Sequence, residues 1–361
     1  MSSKLIYSLD KVPMLVNQSK TNILDLTREQ LIFWLNELDI ASYRAGQIRN
    51  WIYLRQADGF EIMTDLSKGM RSLLTRHFEI QRLNIAAVED SRDGSRKYLF
   101  KLKDGKHVES VLIPERDHYT LCVSSQVGCA QGCLFCLTAC GGFERNLTCG
   151  EIISQVRDIK NHMREPKRLT NIVFMGMGEP LANYKHLVAA IDTIADSNSG
   201  LGFSKRRVTV STAGLVPNLT ALGRDTNVNL AVSLNATDNE TRSKLMPLNR
   251  TYPLEELLNA CREYRLSPSR RITFEYILIK GINDSEEDAH RLAKLLQPIK
   301  SKINLIPFNA HEGCDYDRPD ETAIHRFQQI LIDKNYTAII RHSKGQDISA
   351  ACGQLRARSI G

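Results

Sequence analysis

The 361 residues contain no apolar run long enough to cross a membrane, and the opening "MSSKLIYSLDKVPMLVNQ" has no apolar stretch of signal-peptide length. Neither a span nor a secretory leader is expected, which points to the cytoplasm, where thiols stay reduced. Repeats and low-complexity tracts are missing too, so a solenoid or a disordered array is excluded. Cysteine is not scarce, but its count is odd, nine, and that argues against a closed disulfide framework. The cysteines are then ligands, catalysts or buried bystanders. With 42% hydrophobic and 25% charged residues the chain can form a core without disulfide staples. Its net charge of +7 suits a polyanionic partner, although many enzymes are mildly basic for no such reason.

Residues 1–20 read as an irregular, polar N-terminus. From "LTREQLIFWLNELDI" to "MTDLSKGMRSLLTRHF" apolar residues recur at helical spacing, with Thr27 before Glu29 and Gln30 as an N-cap. This gives a small helical domain over 21–82, along which Arg44, Arg49, Arg55, Lys68, Arg71 and Arg76 are scattered. They form either a solvated basic face or an RNA-docking surface. Over 83–118, "SRKYLFKLKDGKHVESVLIPE" alternates on both sides of Asp104–Gly105 and reads as a β-hairpin linker.

Beyond it the pattern is regular. "TLCVSS", "TNIVFMG", "RRVTVST", "VNLAVSL", "RITFEYIL", "KINLIPFN" and "TAIIRHS" read as strands, separated by amphipathic helices such as "GEIISQVRDIKNHM". Strands alternating with helices mean βαβ units and a parallel sheet. About six units are too few for a closed eight-stranded barrel, so the expected fold class is α/β, a partial (β/α)6 barrel over 119–352, with a tail over 353–361. Ligands of such folds sit beyond the carboxyl ends of the strands.

At that end, after the first barrel strand, lies "CVSSQVGCAQGCLFCLTACGGF", with five of the nine cysteines. Cys129, Cys133 and Cys136 stand as C-x3-C-x2-C with Phe135 before the last. Structural zinc usually takes two separated pairs of ligands. No second pair follows here, although Cys140 or Cys149 offers a fourth thiolate. Three thiolates on one loop suit a 4Fe–4S cluster with one iron left open for a substrate group.

The cysteine spacing with its aromatic resembles the radical S-adenosylmethionine (SAM) superfamily. "LCVSSQVGCAQGCLFC", "MGMGEPLAN", "SKRRVTVST", "KINLIPFN" and "DISAACGQL" resemble, in order, the RlmN/Cfr family of radical-SAM RNA adenosine methyltransferases. The likeness runs from about residue 21 nearly to the end. It implies a 4Fe–4S cluster on Cys129, Cys133 and Cys136, whose open iron chelates SAM. It implies SAM contacts at Gly178 and Glu179 in "GMGEP", and at Ser211, Ser233, Leu234, Asn235 and Asn309, which end strands. The family commonly has His where this chain has Asn235; Asn still donates and accepts hydrogen bonds.

The resemblance also implies a two-thiol mechanism. Cys352 is first methylated by one SAM; a second, cleaved reductively, yields a radical that takes hydrogen from that methyl, and the methylene adds to an adenine carbon. Such carbons are not nucleophiles, so polar methyl transfer cannot reach them. Cys122 then removes the ring proton and attacks the Cys352 sulfur, releasing methylated RNA and a transient disulfide. An unperturbed thiol is only about 3% ionised at pH 7, so the site must lower the Cys122 pKa or deliver its thiolate. Glu109 aligns with a family glutamate proposed as a proton acceptor; a lone hairpin Glu is otherwise a solvated residue. The Pro of "GMGEP", "SKRRVT" and "AACGQL" resemble the RlmN branch, which implies carbon 2 of an adenosine in 23S rRNA at the peptidyl-transferase centre, and tRNA anticodon loops. Carbon 8, the Cfr product, is the alternative, and a non-catalytic iron–sulfur RNA-binding protein is a second. A flavodoxin-type reductant and a monomer complete the expectation. Cys261 in "LLNACREY" reads as a helix-core residue; Cys140, Cys149 and Cys314 carry no implied role.

Overall fold

Residues 20–310 and 314–357 are described by the structure, a computed structural model. The expected irregular N-terminus lies outside the described residues, Lys20 excepted, as do residues 358–361 of the tail. Three helices follow: Arg28–Asn36 (α1), Arg44–Tyr53 (α2) and Lys68–His77 (α3). Thr27 caps α1 as its sequence implies, in a reciprocal box: Gln30 N–H donates to Thr27 Oγ1 (3.2 Å), and Thr27 N–H to Gln30 Oε1 (2.9 Å). Leu31, Leu35, Ile48, Ile52 and Leu74 bury the facing stripes.

Ten strands then form one sheet. Asn84–Asp90 (β1), Arg96–Lys101 (β2) and His107–Pro114 (β3) make an antiparallel meander. Its second turn is the expected Asp104–Gly105, with Gly105 at φ +84°. Strand β1 is additional to the hairpin read from sequence, and the meander is continuous with the main sheet. Tyr119–Cys122 (β4) pairs antiparallel with β3 and parallel with Leu169–Phe174 (β5). Val208–Thr212 (β6), Asn229–Ser233 (β7), Ile272–Leu278 (β8), Ser301–Pro307 (β9) and Ala338–Ile340 (β10) add in sequence order, all parallel. All seven strands read from the sequence are there, joined by six crossovers. Helices cover them: Cys149–His162 (α4), Tyr184–Ala195 (α5), Val216–Asp225 (α6), Asn239–Leu245 (α7), Leu254–Glu263 (α8), Glu286–Leu296 (α9) and Glu321–Asp333 (α10). The strand order runs out without closing. Among the described residues no helix is long and apolar enough to cross a membrane.

The helical unit is fastened to α4 by buried charge. Arg157, fully buried, donates from Nε to the Ile52 carbonyl (3.2 Å) and from Nη2 to the Ala57 carbonyl (2.5 Å), and pairs with Asp58 (3.2 Å). Arg82 bridges Asp58 and Asp158, both at 2.6 Å. Arg49, expected on a basic surface, is 3% exposed and donates to Thr193 and Ser199 of the barrel. Burial and the neighbouring Arg82 push the Arg157 pKa down, yet two backbone carbonyls and Asp58 take up its donors. Arg157→Met keeps the volume and strands those acceptors. It should cost about 3 kcal/mol in urea unfolding, whereas Arg55→Met, at an exposed arginine stacked on Trp51, should stay within about 0.5 kcal/mol.

Candidate active site

Past Cys122 the chain leaves β4 but stays tied to β5: Val123 N–H donates to Val173 O (2.9 Å) and Gly176 N–H to Val123 O (3.2 Å). Gln155 of α4 fixes the turn, accepting from Ser124 N–H (2.9 Å) and Ser110 Oγ (2.7 Å). A short antiparallel pair, Gln126–Gly128 with Phe143–Asn146, then closes the neck of the cysteine loop. At Gly128 (φ +73°) a Cβ would lie 1.9 Å from the Gly142 carbonyl oxygen, so only glycine lets the two arms meet. Cys129, Cys133 and Cys136 project from the loop so held.

Cys133 is buried and coupled electrostatically to both Cys129 and Cys136, so the three thiols share one space. Burial raises all three, Cys129 to about 12. Yet among the described residues no three His, Cys, Asp or Glu side chains converge to hold a single metal ion. Three thiolates offered by one short loop suit a polynuclear cluster with an open iron better than a closed structural zinc. The zinc alternative also loses Cys149, which is buried on α4 against Asp25 and Arg49. Cys140 is exposed, near Cys136 and Cys314, and Cys261 is a helix-core residue as expected. Phe135, Leu245, Met246, Ile279 and Phe308 pack with Cys133 in a separate apolar cluster, the kind of dry shell that governs solvent access to a metal group.

The residues expected around SAM follow the ends of adjacent strands. Gly178 has φ +98°, and a Cβ there would meet Gln126 at 2.5 Å; the "GMGEP" turn thus lies directly on the segment that feeds the cysteine loop. Glu179, 3% exposed, accepts from Leu181 N–H (3.0 Å) and Ala213 N–H (2.7 Å), and its own N–H donates to Gln126 Oε1 (2.8 Å). Burial raises its pKa despite these donors. Ser211 and Ser233 are half-buried at the ends of β6 and β7. The Leu234 side chain is wholly buried and its backbone N–H donates to Glu275 O (2.9 Å). Asn235 departs from expectation. It is fully buried at φ +59°, its Oδ1 accepts from Ile277 N–H (2.9 Å) and its Nδ2 faces Met246 Sδ (3.3 Å). A left-handed residue ends the strand there, and its amide replaces the lost ladder bond. Asn309 donates to Ser343 Oγ (2.7 Å) and accepts from Gln346 Nε2 (2.8 Å), which ties it to the segment leading to Cys352.

That segment brings Cys352 to the same face. Cys122 and Cys352, from opposite ends of the barrel, lie within electrostatic reach of each other, and the Gly353 carbonyl accepts from Leu137 N–H (2.7 Å), which sets Cys352 beside Cys136. All nine cysteines are free. Cys352 is exposed, yet burial pushes its pKa up to about 11; a thiol dense with neighbours but open to solvent lines a cleft. Burial also raises Cys122, because β4 sets it in an apolar wall, so of the two expected routes delivery of the thiolate is the one this site favours. Glu109 is neither solvated nor free: it is 5% exposed, accepts from Arg356 N–H at 2.9 Å and lies 3.6 Å from Lys97 Nζ.

Two residues escaped the sequence reading. Arg242, fully buried, donates to the carbonyls of Ala213 (2.7 Å), Ser233 (3.2 Å) and Leu234 (3.0 Å), bracing the ends of β6 and β7 beside Cys133. Desolvation lowers its pKa to about 10. Glu275 on β8 receives Asn304 Nδ2 at 2.9 Å and is coupled to Cys352. No sequence pattern marks either.

Burial lifts Glu275 from 4.5 to about 7, against Asn304, Arg341 and Lys302, which lower it. The folded state therefore binds this proton more tightly than the unfolded chain. That preference is complete below pH 4.5 and is lost as pH rises through 7, so stability falls across this window. Relative to Glu275→Gln, which cannot titrate, wild type should lose about 1–3 kcal/mol between pH 4.5 and 8 in urea midpoints.

Comparison with known proteins agrees with this geometry. Residues 123–293 match the Radical SAM superfamily and residues 21–80 the ribosomal RNA large subunit methyltransferase N-terminal domain. A curated relative named dual-specificity RNA methyltransferase RlmN, from Desulfosudis oleivorans, is 61% identical over 93% of this chain and 90% of its own length. Another of that name, from Geotalea uraniireducens, is 52% identical over 94% of this chain and 97% of its own. A crystal structure of a radical SAM methyltransferase from Sphaerobacter thermophilus superimposes with a TM-score of 0.87 at 44% identity, covering 94% of this chain and all of that one. The chain belongs to the RlmN family of radical SAM RNA methyltransferases.

Proposed function

We propose that this protein methylates carbon 2 of an adenosine in 23S rRNA and in tRNA, with Cys352 as methyl carrier and Cys122 as resolving thiol. What supports the reading is the backbone bond from Leu137 N–H to the Gly353 carbonyl (2.7 Å), which sets Cys352 beside Cys136, with Cys122 within electrostatic reach. Cys129, Cys133 and Cys136 would hold a 4Fe–4S cluster, with SAM beside it against Gly178, Glu179, Ser211, Ser233, Leu234 and Asn309; when bound, the pair supplies one-electron chemistry and the methyl group. Asn235 would contribute through its backbone only, since its amide is already engaged.

The chain's own residues do the rest. Cys352 Sγ carries the methyl as a thioether, and its exposed position lets that carbon reach a base. Once the carbon is bonded to the adenine, with the bound one-electron group as acceptor for the ring's odd electron, Cys122 Sγ takes the ring proton, releases it and attacks Cys352 Sγ. The S–C electron pair stays with carbon, which takes a proton and becomes the new methyl. The Cys122–Cys352 disulfide left behind is reset by a dithiol reductant. Arg242 fixes the strand ends, and the apolar cluster around Phe135 and Phe308 excludes water. Residues 21–82 would dock RNA, since Lys20, Lys68, Arg71 and Arg76 line one surface cleft; residues 83–118 brace residues 119–352, which hold the chemistry. A flavodoxin-type electron donor, a monomer and a cytoplasmic setting complete the proposal.

Anaerobically reconstituted protein should take up about four irons and, with SAM and a reductant, yield 2-methyladenosine in digests of ribosomal and transfer RNA. Cys129→Ala should lose both iron and product. Co-elution with 8-methyladenosine would replace the carbon-2 reading with the Cfr-type one; iron uptake with no methylated base would leave a binding protein.

The two thiols should fail at different stages. Cys122→Ala can still form the carbon bond but cannot release it, so denaturing gels should show an RNase-sensitive protein–RNA adduct. Cys352→Ala has no carrier and should show none. Full activity in either variant would remove the two-thiol mechanism.

A further inference from the structure

The segment that presents Cys352 is held from outside the parallel sheet. Between Ser343 and Ala357 the backbone enters the left-handed region at Gly345, Ser349, Gly353 and Ala357, with φ of +65°, +51°, +79° and +49°. At Ser349 and Ala357, which bear a Cβ, this costs on the order of 1 kcal/mol each, so the shape needs outside support. Ala350, Ala351 and Leu355 are buried while Cys352 between them is exposed. The anchors come from the meander. Lys97, 7% exposed, donates from Nζ to the Ile348 carbonyl at 2.6 Å, four residues before the thiol. Its charge is balanced by Glu89 (3.0 Å) and Glu109 (3.6 Å). Ser91 Oγ donates to Asp347 Oδ1 (2.6 Å), Arg92 N–H to Asp347 Oδ2 (3.1 Å), and Gly345 N–H to Asp93 Oδ2 (2.8 Å). Beyond the thiol, Arg356 N–H donates to Glu109 (2.9 Å) and Leu137 N–H to the Gly353 carbonyl (2.7 Å), next to the last cysteine of the loop.

Lys97 stands at the centre of this clamp. Its two carboxylates would satisfy it electrostatically; the third contact, to a carbonyl of the strap, is the one that transmits position. Glu109 joins both ends, holding the ammonium with one oxygen and the tail with the other. We propose that Lys97 is a positioning residue for Cys352, setting through the Ile348 carbonyl the distance at which that thiol meets Cys122, with Glu109 as its counter-anchor. The inference rests on the two-thiol reading of the site. It assigns the meander a part in the reaction although no meander side chain need touch RNA or cofactor.

The readout is the equilibrium between the two thiols, measured on the reconstituted full chain without RNA or SAM. Oxidised glutathione accepts the two electrons and two protons released when Cys122 and Cys352 join, and peptide mass spectrometry gives the fraction paired at each redox poise. Lys97→Met should lower the effective concentration of Cys352 at Cys122 at least tenfold, about 30 mV for this two-electron couple. Lys97→Arg, which still reaches a carbonyl, should return most of it. Lys103→Met, at an exposed lysine paired with Glu79, should change nothing. Unfolding midpoints taken in parallel separate position from stability; if Lys97→Met does not fold, Asp347→Asn at the second anchor should shift the equilibrium in the same direction. A folded Lys97→Met with wild-type pairing overturns the proposal, as does wild-type protein that never pairs these thiols. Normal pairing and a Lys97 effect in a protein that methylates no RNA would instead overturn the proposed function and leave the clamp standing.

Discussion

Strand Tyr119–Cys122 is hydrogen-bonded antiparallel to His107–Pro114 on one side and parallel to Leu169–Phe174 on the other. The site depends on that double pairing. The parallel side aligns Cys122 with Val173 and so brings the "GMGEP" turn over the neck of the cysteine loop. The antiparallel side aligns it with Val111, two residues from Glu109, and so delivers the meander that grips the C-terminal strap. Strand direction therefore changes at this strand, and ligands of parallel α/β sheets sit beyond the carboxyl ends that it shares. Here the change also decides which residues reach the thiols: cofactor-facing loops from one side and clamping side chains from the other.

Burial is the leading influence on the ionisable groups at this face. It raises Cys122, Cys129, Cys133, Cys136, Cys352, Glu179 and Glu275, and it lowers Arg242. Burial thus works against charge on every one of these side chains. Thiols must lose protons to bind metal, so assembling a cluster here releases protons and replaces neutral sulfur with a charged group in a dry surround. The second apolar cluster then matters twice: it disfavours the bare thiolates, and it keeps water from the group that stabilises them.

Much of the architecture was legible because periodicity reports which faces are buried. The seven parallel strands are apolar and β-branched, and their crossovers carry helical spacing, so their places could be read. Strand Asn84–Asp90 could not: it lies at the sheet edge, largely exposed, and "NIAAVED" carries no strong alternation. The cysteine loop was legible because its spacing is local. Lys97 was not, because the contact that distinguishes it from other lysines lies 251 residues away. Arg49 and Arg157 were hidden for the same reason; a basic residue on a helix gives no sign of which carbonyls the fold will bring to it. Asn235 shows the opposite limit: its place just past a strand end could be read, whereas the engagement of its amide with Ile277 and Met246 could not.

The arginines buried between the helical unit and α4 have a consequence for how such a chain can evolve. Sequence profiles meet it as two blocks, residues 21–80 and 123–293, as though the parts were interchangeable. Yet the guanidinium of Arg157 finds carbonyl partners on the other block, at Ile52 and Ala57, and Arg49 of the first finds hydroxyl partners on the second, at Thr193 and Ser199. Each half conceals a cation that only the other half can satisfy. Recombination with a foreign partner would have to replace both seams at once.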